Sequence, residues 1–272
     1  MNLLTKKLQQ SKTFFIVWAM IAGFGAYFSM YAFRKPFNNG TYSGLYLWGL
    51  DYKVVIIVFK VLGYMLSKFI GIKIISELKP SQRIKLVIGL IVFSLISLFF
   101  FGVVPYPYNF ICMFFSALPL GMVWGIVFSF LEGRRFTEML SFGLCFILIV
   151  ASGVLKTIYF TLHSYYPLSE FWMPFAMGAI FLPVFCFFVW MLSVIPAPTE
   201  EDKRLRTERV LMSREDKKQV FRQYGFGLVC VVLAYAMLTT LRDFRDNFSV
   251  EIWTEIDKGF SDTVFSRTEL II

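Results

Sequence analysis

Histidine is almost absent from this sequence, and acidic residues are few. The 272 residues include one histidine, His163, and 18 aspartates and glutamates against 27 lysines and arginines. General acid and base catalysis in proteins depends mainly on histidine and carboxylate side chains. Because the long apolar segments of this chain hold almost none of these groups, the sequence argues against an enzyme.

The cysteines are also few and isolated. All four lie in apolar segments without a Cys-x-x-Cys pair or a histidine partner, and they are Cys112, Cys145, Cys186 and Cys230. Isolated cysteines of this kind usually pack as small hydrophobic side chains. We therefore predict no disulfide, no metal site and no cofactor.

Hydrophobic residues make up 57% of the chain, whereas soluble domains contain roughly 45–50%. A membrane-spanning helix needs about 20 mainly apolar residues. Seven segments meet this requirement, and they are Thr13 to Tyr31, Tyr52 to Ile75, Ile84 to Val104, Asn109 to Leu131, Met139 to Leu162, Phe171 to Ile195 and Tyr224 to Leu241. They are too long for the strands of a membrane barrel, and a helix satisfies its backbone groups within the segment. The sequence therefore predicts an all-α, polytopic transmembrane helix bundle in the lipid bilayer.

The net charge of +9 does not indicate nucleic-acid binding, because the basic residues are concentrated in alternate loops. They precede the first span and are densest from Lys203 to Arg222, whereas Pro105 to Tyr108 and His163 to Glu170 contain none. Cytoplasmic loops of membrane proteins carry an excess of lysine and arginine. We predict a multi-pass protein of the inner (plasma) membrane with a cytoplasmic N-terminus and no nucleic-acid partner.

A polar, basic stretch interrupts the series of spans. Pro196 and Pro198 end the sixth span, and charges of both signs follow. We predict a six-helix bundle over residues 1–195, a cytoplasmic loop over 196–222, and the seventh span with its tail over 223–272. This is the layout of the first half of a major facilitator transporter, whose two halves are related by symmetry. The second half is then incomplete, so the chain is a fragment, a shortened gene product, or one that a second chain completes.

Lysines occur within the predicted spans, where an ionised lysine costs at least about 2.5–3.5 kcal/mol. Lys60 and Lys68 lie two helical turns apart with Tyr64 between them, and Lys156 lies in the fifth span. The first six spans contain almost no acid to pair with them. The pattern favours an anion supplied from outside, namely a substrate, and the alternatives are structural pairing or snorkelling. Snorkelling to the headgroups is the interpretation for Lys53 and Lys73, which lie near span ends.

The first span carries a polar face near its end. Tyr27, Tyr31 and Arg34 follow one another at spacings of four and three, which places them on one side of a helix. A guanidinium group presents a planar fork of donors that suits phosphate or carboxylate. The alternative is an aromatic belt at the membrane interface, where tyrosine is enriched.

A cluster of charges follows the seventh span. It consists of Arg242, Asp243, Arg245 and Asp246. The cluster lies inside the bundle if the helix continues past Leu241, and in a hydrated loop if the helix ends there.

Several segments resemble the organophosphate:phosphate antiporter family of the major facilitator superfamily, which includes glycerol-3-phosphate and hexose-phosphate transporters. The run Tyr27 to Lys35 (YFSMYAFRK) resembles the first-span motif of that family, in which two tyrosines precede an Arg-Lys pair and the arginine binds substrate phosphate. Ser67 to Ile70 (SKFI) resembles the second-span run, whose lysine lines the cavity. The remaining similar segments are Gly121 to Gly125 (GMVWG), Phe171 to Pro174 (FWMP) and the pair Leu241 and Arg242.

The resemblance implies a six-helix half of a major facilitator fold plus the start of the second half, about seven spans in all. It implies a site between the halves in which Arg34 and Arg242 clamp an anion and Lys68 adds charge. The further candidates for this site are Tyr27, Tyr31, Lys35, Lys60 and Lys156. We therefore expect a secondary transporter of a small organic anion, a phosphate ester or a carboxylate. The alternatives are a membrane sensor of a sugar-phosphate-like anion and a non-functional truncated transporter.

Overall fold

Helices make up most of the residues that the computed structural model describes, which are 3–131, 137–196, 213–256 and 263–271. Within those residues the helices are α1 (Leu3–Gln10), α2 (Lys12–Arg34), α3 (Tyr52–Ser76), α4 (Arg83–Val103), α5 (Phe110–Leu131), α6 (Thr137–Tyr165), α7 (Met173–Ser193), α8 (Arg214–Asn247), α9 (Ser249–Ile256) and α10 (Val264–Ile271). Two short 3-10 helices, Pro36–Asn39 and Pro80–Gln82, follow α2 and precede α4. A small antiparallel hairpin, β1 (Tyr46–Leu47) and β2 (Leu50–Asp51), joins α2 to α3.

The predicted all-α bundle of membrane-spanning helices is confirmed. Among the described residues, six helices are long and apolar enough to cross a membrane, namely α2, α3, α4 with the short 3-10 helix before it, α5, α7 and α8. The fifth predicted span, Met139 to Leu162, falls within α6, whose 29 residues exceed the length that a span needs. The side chains of residues 137–149 are outside the described part of the structure.

Local sequence signals explain where the site-forming helices begin and end. The Ser11 hydroxyl accepts a hydrogen bond from the Phe14 amide at the start of α2. Proline at position 36 has no backbone N–H to donate to a carbonyl of α2, so the helix ends at Arg34 with Lys35 as its cap residue. Ser213 and Asp216 form a reciprocal capping box, which starts α8 ten residues before the predicted span. The part of the predicted loop from residue 197 to 212 lies outside the described residues.

Small residues allow α3 and α5 to pack closely against each other. A Cβ atom added at Gly63 of α3 would lie 2.3 Å from the carbonyl oxygen of Phe114 on α5. Four residues further along α3 and seven further along α5, a Cβ atom at Gly121 would lie 2.6 Å from the hydroxyl of Ser67. Small residues at four-residue spacing are the usual means by which membrane helices approach closely. This contact fixes the face of α3 that carries Lys60 and Lys68.

Gly63→Ala is expected to destabilise the protein by about 1–3 kcal/mol, because the added methyl group meets backbone that cannot move aside. The matched control is Gly89→Ala on α4, where an added Cβ meets nothing within 4 Å. Thermal unfolding of the purified proteins in detergent, followed by tryptophan fluorescence, compares the two variants. Equal melting temperatures would show that the α3–α5 contact is looser than described.

Candidate functional site

A cavity of about 380 Å³ lies between the C-terminal half of α2, the middle of α3 and the C-terminal part of α8. Its charged lining residues are Arg34, Lys35, Lys60, Lys68, Arg242 and Arg245, with Asp243 and Asp246. Cations in this lining outnumber carboxylates by six to two. A concave, low-dielectric surface lined by charge of one sign concentrates ions of the opposite sign. The cavity is therefore suited to a small anion.

Seven of the eight predicted site residues line this one cavity, although they come from three helices far apart in sequence. They are Tyr27, Tyr31, Arg34, Lys35, Lys60, Lys68 and Arg242. The eighth, Lys156, lies in a second, smaller cavity of about 210 Å³, together with Ser249, Trp253 and Phe265.

The Arg34 guanidinium is held between aromatic rings. Its central carbon lies 4.5 Å from the ring centroid of Tyr64 on α3 and 5.6 Å from that of Tyr31 on its own helix. Tyr27 and Tyr31 pack edge to face with their centroids 5.3 Å apart. Both tyrosines are at most 4% exposed within the protein. Their placement in an interfacial aromatic belt is therefore wrong, and the polar face of α2 points into the bundle.

The two lysines of α3 that share this face differ in their surroundings. Lys60 is buried, donates to the backbone carbonyl of Arg34, and lies 3.6 Å from the ring centroid of Phe37. Lys68 is exposed at the cavity, with its ammonium group 5.0 Å from the Tyr64 ring centroid. Across the described part of the chain, no carboxylate forms a salt bridge with Arg34, Lys60 or Lys68.

Asp246 is the centre of a buried ion-pair network. Its carboxylate pairs with Lys35 and also accepts from Lys156, whose Nζ lies 2.7 Å from Oδ1. The Ser152 hydroxyl donates to the same carboxylate, and Lys156 donates to the Ser249 hydroxyl over 2.8 Å. Helix α8 continues to Asn247, and of the charged cluster after Leu241 Asp246 is buried inside the bundle, whereas Arg242 and Arg245 are exposed.

This network corrects the expectation that the buried cations lack a protein counter-ion. That expectation is wrong for Lys35 and Lys156, because their carboxylate comes from the end of α8 and not from the first six spans. It is wrong for Lys53 as well, which is 3% exposed and pairs with Glu251 of α9. Lys53 therefore does not snorkel. Lys73 is exposed in the last turn of α3, as its predicted anchoring position requires.

Arg242 occupies the open side of the cavity. Its side chain is half exposed, and its guanidinium lies 3.7 Å from the neighbouring Asp243 carboxylate. An exposed pair of this kind contributes little energy, so the guanidinium can exchange that carboxylate for another anion.

The chain segment after α2 is fixed by a carboxylate from the turn that precedes α7. Glu170 accepts hydrogen bonds from the backbone amides of Thr41 and Tyr42, over 3.0 and 2.7 Å. The buried Tyr42 hydroxyl in turn donates to the Phe37 carbonyl over 3.2 Å, and burial raises the pKa of that hydroxyl well above its usual value. Tyr42 therefore stays a neutral donor and holds Phe37, whose ring lies beside Lys60.

Three of the groups that shape this site were not predicted from the sequence. Tyr64 contacts two of the cationic side chains, Phe37 contacts a third, and the Asn38 side-chain amide donates to Oδ1 of the Asn247 side chain over 2.6 Å. The available signal for Tyr64 was its position midway between Lys60 and Lys68. Among the described residues, no cluster of histidine, cysteine and carboxylate side chains could hold a metal ion.

The fold and the cavity define an all-α polytopic membrane protein with an anion-attracting chamber between its helices. The chain belongs to a family of unknown function, DUF5690, whose model matches residues 36–272. No curated protein and no solved structure gives a significant match to the chain.

Proposed function

We propose that this protein is a secondary transporter that carries a small organic anion, a phosphate ester or a carboxylate, across the membrane by alternating access. The observation that carries the proposal is the excess of cationic side chains around the cavity. One of its two carboxylates, Asp246, is already shared between Lys35 and Lys156. Among the described lining residues, an anion that enters the cavity would therefore offset positive charge that the two carboxylates do not neutralise.

The chemistry of the lining suits an oxyanion. Arg34 offers a planar fork of donors, Lys68 and Arg242 supply further positive charge, and Tyr235 and Thr239 add hydroxyl groups. A volume of about 380 Å³ is near the lower end of the roughly 300–1,000 Å³ of small-molecule sites. The substrate in this account is therefore small.

Transport is favoured over chemistry by what the lining offers. Catalysis by general acid and base needs a free titratable group beside the reacting atoms. The described lining includes no histidine, and the Asp246 carboxylate is engaged by two lysines. A lining in which cations predominate and the buried carboxylate is already paired is suited to binding and release of an anion.

The resemblance to organophosphate:phosphate antiporters supports the same proposal. The segments that resemble that family's substrate-binding runs contribute Arg34 on α2, Lys68 on α3 and Arg242 on α8, and all three line the cavity. In major facilitators the substrate lies at the interface of two bundles, which rock around it. In this account α2 and α3 belong to one bundle and α8 to the other.

The test is a comparison of binding with transport for the full chain. Binding of radiolabelled inorganic phosphate to the purified protein is competed with glycerol phosphate, sugar phosphates and dicarboxylates, and uptake is then measured in proteoliposomes. Saturable binding with uptake is the expected result. Binding without uptake would favour the alternative function, a membrane sensor of such an anion. If none of the phosphates and carboxylates binds, the proposal is overturned.

A further inference from the structure

The end of α2 meets α3 at two places, and both involve Arg34. The carbonyl groups in the last turn of a helix have no partner within the helix. Arg34 is the last residue of α2, and its carbonyl oxygen accepts a hydrogen bond from the Lys60 ammonium. The guanidinium of the same arginine lies 4.5 Å from the Tyr64 ring centroid. One face of α3 therefore contacts both the backbone and the side chain of Arg34.

Two groups of the protein itself stabilise the Lys60 ammonium group. Its ammonium group donates to a carbonyl at the negative end of the α2 dipole and lies 3.6 Å from the Phe37 ring centroid. A cation is favoured at a helix C-terminus and against an aromatic face. Lys60 is 7% exposed, whereas Lys68, two turns along the same face, is open to the cavity.

We propose that Lys60 is a positioning residue of the anion site: it caps the C-terminus of α2 and thereby holds the Arg34 guanidinium in place. The inference rests on the proposed function in taking Arg34 as the residue that contacts the anion. Lys68 is then the α3 lysine that contacts the anion directly, and Lys60 acts through Arg34.

Hydrogen exchange at the amides of residues 31 to 38 tests the capping role without any ligand. Lys60→Met keeps the length of the side chain but removes the donor, so the last turn of α2 loses a charge-assisted hydrogen bond. We expect exchange there to be faster by about tenfold or more, since bonds to charged groups contribute at least about a factor of ten. Lys68→Met, the matched loss of a lysine from the same face, leaves the exchange rate unchanged.

Two further variants make the result decisive. Lys60→Arg retains a long cationic donor and is expected to keep the slow exchange of the wild type. Lys60→Gln replaces the methionine variant if the latter does not accumulate in the membrane. Unchanged exchange in Lys60→Met, equal acceleration in Lys68→Met, or fast exchange in Lys60→Arg would each overturn the proposal.

Phosphate binding to the same proteins separates this inference from the proposed function. Lys60→Met is expected to bind inorganic phosphate more weakly than the wild type, and Lys60→Arg to bind it nearly normally. If the wild type itself does not bind phosphate or any competing anion, the proposed function fails. The exchange measurement still decides whether Lys60 caps α2.

Discussion

Asp246→Ala is expected to lower the free energy of unfolding by about 3–5 kcal/mol, because it leaves buried lysines without their counter-ion. Lys35 and Lys156 both pair with this carboxylate, and Ser152 donates to it. The loss is comparable to the total stability of many proteins, which is about 5–15 kcal/mol. We therefore expect little folded protein at ordinary growth temperature, measured as the yield of monodisperse protein after extraction in mild detergent.

The neighbouring acid on the same helix provides the control. Asp243 forms a half-exposed pair with Arg242 at 3.7 Å, and exposed pairs contribute about 0–1 kcal/mol. Asp243→Ala is thus expected to fold as the wild type does. A normal yield and melting temperature for Asp246→Ala would contradict the buried ion-pair network.

Removing the whole network should be tolerated better than breaking it. Replacing all members of a buried ion-pair network by apolar side chains of similar volume is often neutral or stabilising. The triple variant Lys35→Met, Lys156→Met and Asp246→Leu is therefore expected to recover most of the folded yield that Asp246→Ala loses. Failure of the triple variant to recover would show that these groups do more than neutralise one another.

Arg34→Lys is expected to weaken the binding of inorganic phosphate by about 100-fold, even though it keeps the charge. Lysine cannot reproduce the planar, two-pronged contact that a guanidinium makes with an oxyanion, and charge-assisted bonds contribute about 1.5–3 kcal/mol each. The shape of the group also matters within the protein, because the guanidinium lies against the Tyr64 and Tyr31 rings. Equilibrium binding to the purified variant measures the loss.

The control for this substitution is the reverse change on α3. Lys68 is exposed at the cavity and acts in this account as a mobile point charge, so Lys68→Arg should bind phosphate within a few-fold of the wild type. The melting temperature of Lys68→Arg should match that of the wild type, since Lys68 is exposed and forms no salt bridge with a carboxylate in the described residues. Normal phosphate binding by Arg34→Lys would remove Arg34 from the site.

The membrane helices were largely predictable from sequence, because the length of an apolar segment is set by the thickness of the bilayer. The predicted edges differ from those of the structure by a few residues in α2 to α5. The exception is α8, a helix of 34 residues whose two ends are polar and therefore lie outside the apolar segment from which the span was predicted. A capping box places the start of this helix at Arg214. At the other end the helix continues through Asp246, whose carboxylate is buried and paired, to Asn247.

The polar face of α2 was also predictable, since residues three and four apart share one side of a helix whatever surrounds it. The roles of the lysines were not. Lys53 was expected to snorkel and Lys60 to meet an anion, yet Lys53 pairs with Glu251 and Lys60 donates to the Arg34 carbonyl at the end of α2. That difference depends on the position in the fold of an acid nearly 200 residues away in the chain. The local sequence around each lysine carries no information on that position.

Uptake of radiolabelled phosphate into phosphate-loaded proteoliposomes tests the central claim most directly, with wild type, Arg34→Ala and protein-free vesicles compared at equal protein density. The account predicts saturable uptake by the wild type that organic phosphates or carboxylates inhibit, and uptake by Arg34→Ala no greater than in protein-free vesicles despite normal insertion. Two results would contradict this account. One is equal uptake by wild type and Arg34→Ala, and the other is wild-type uptake no greater than in protein-free vesicles for every phosphate and carboxylate tried.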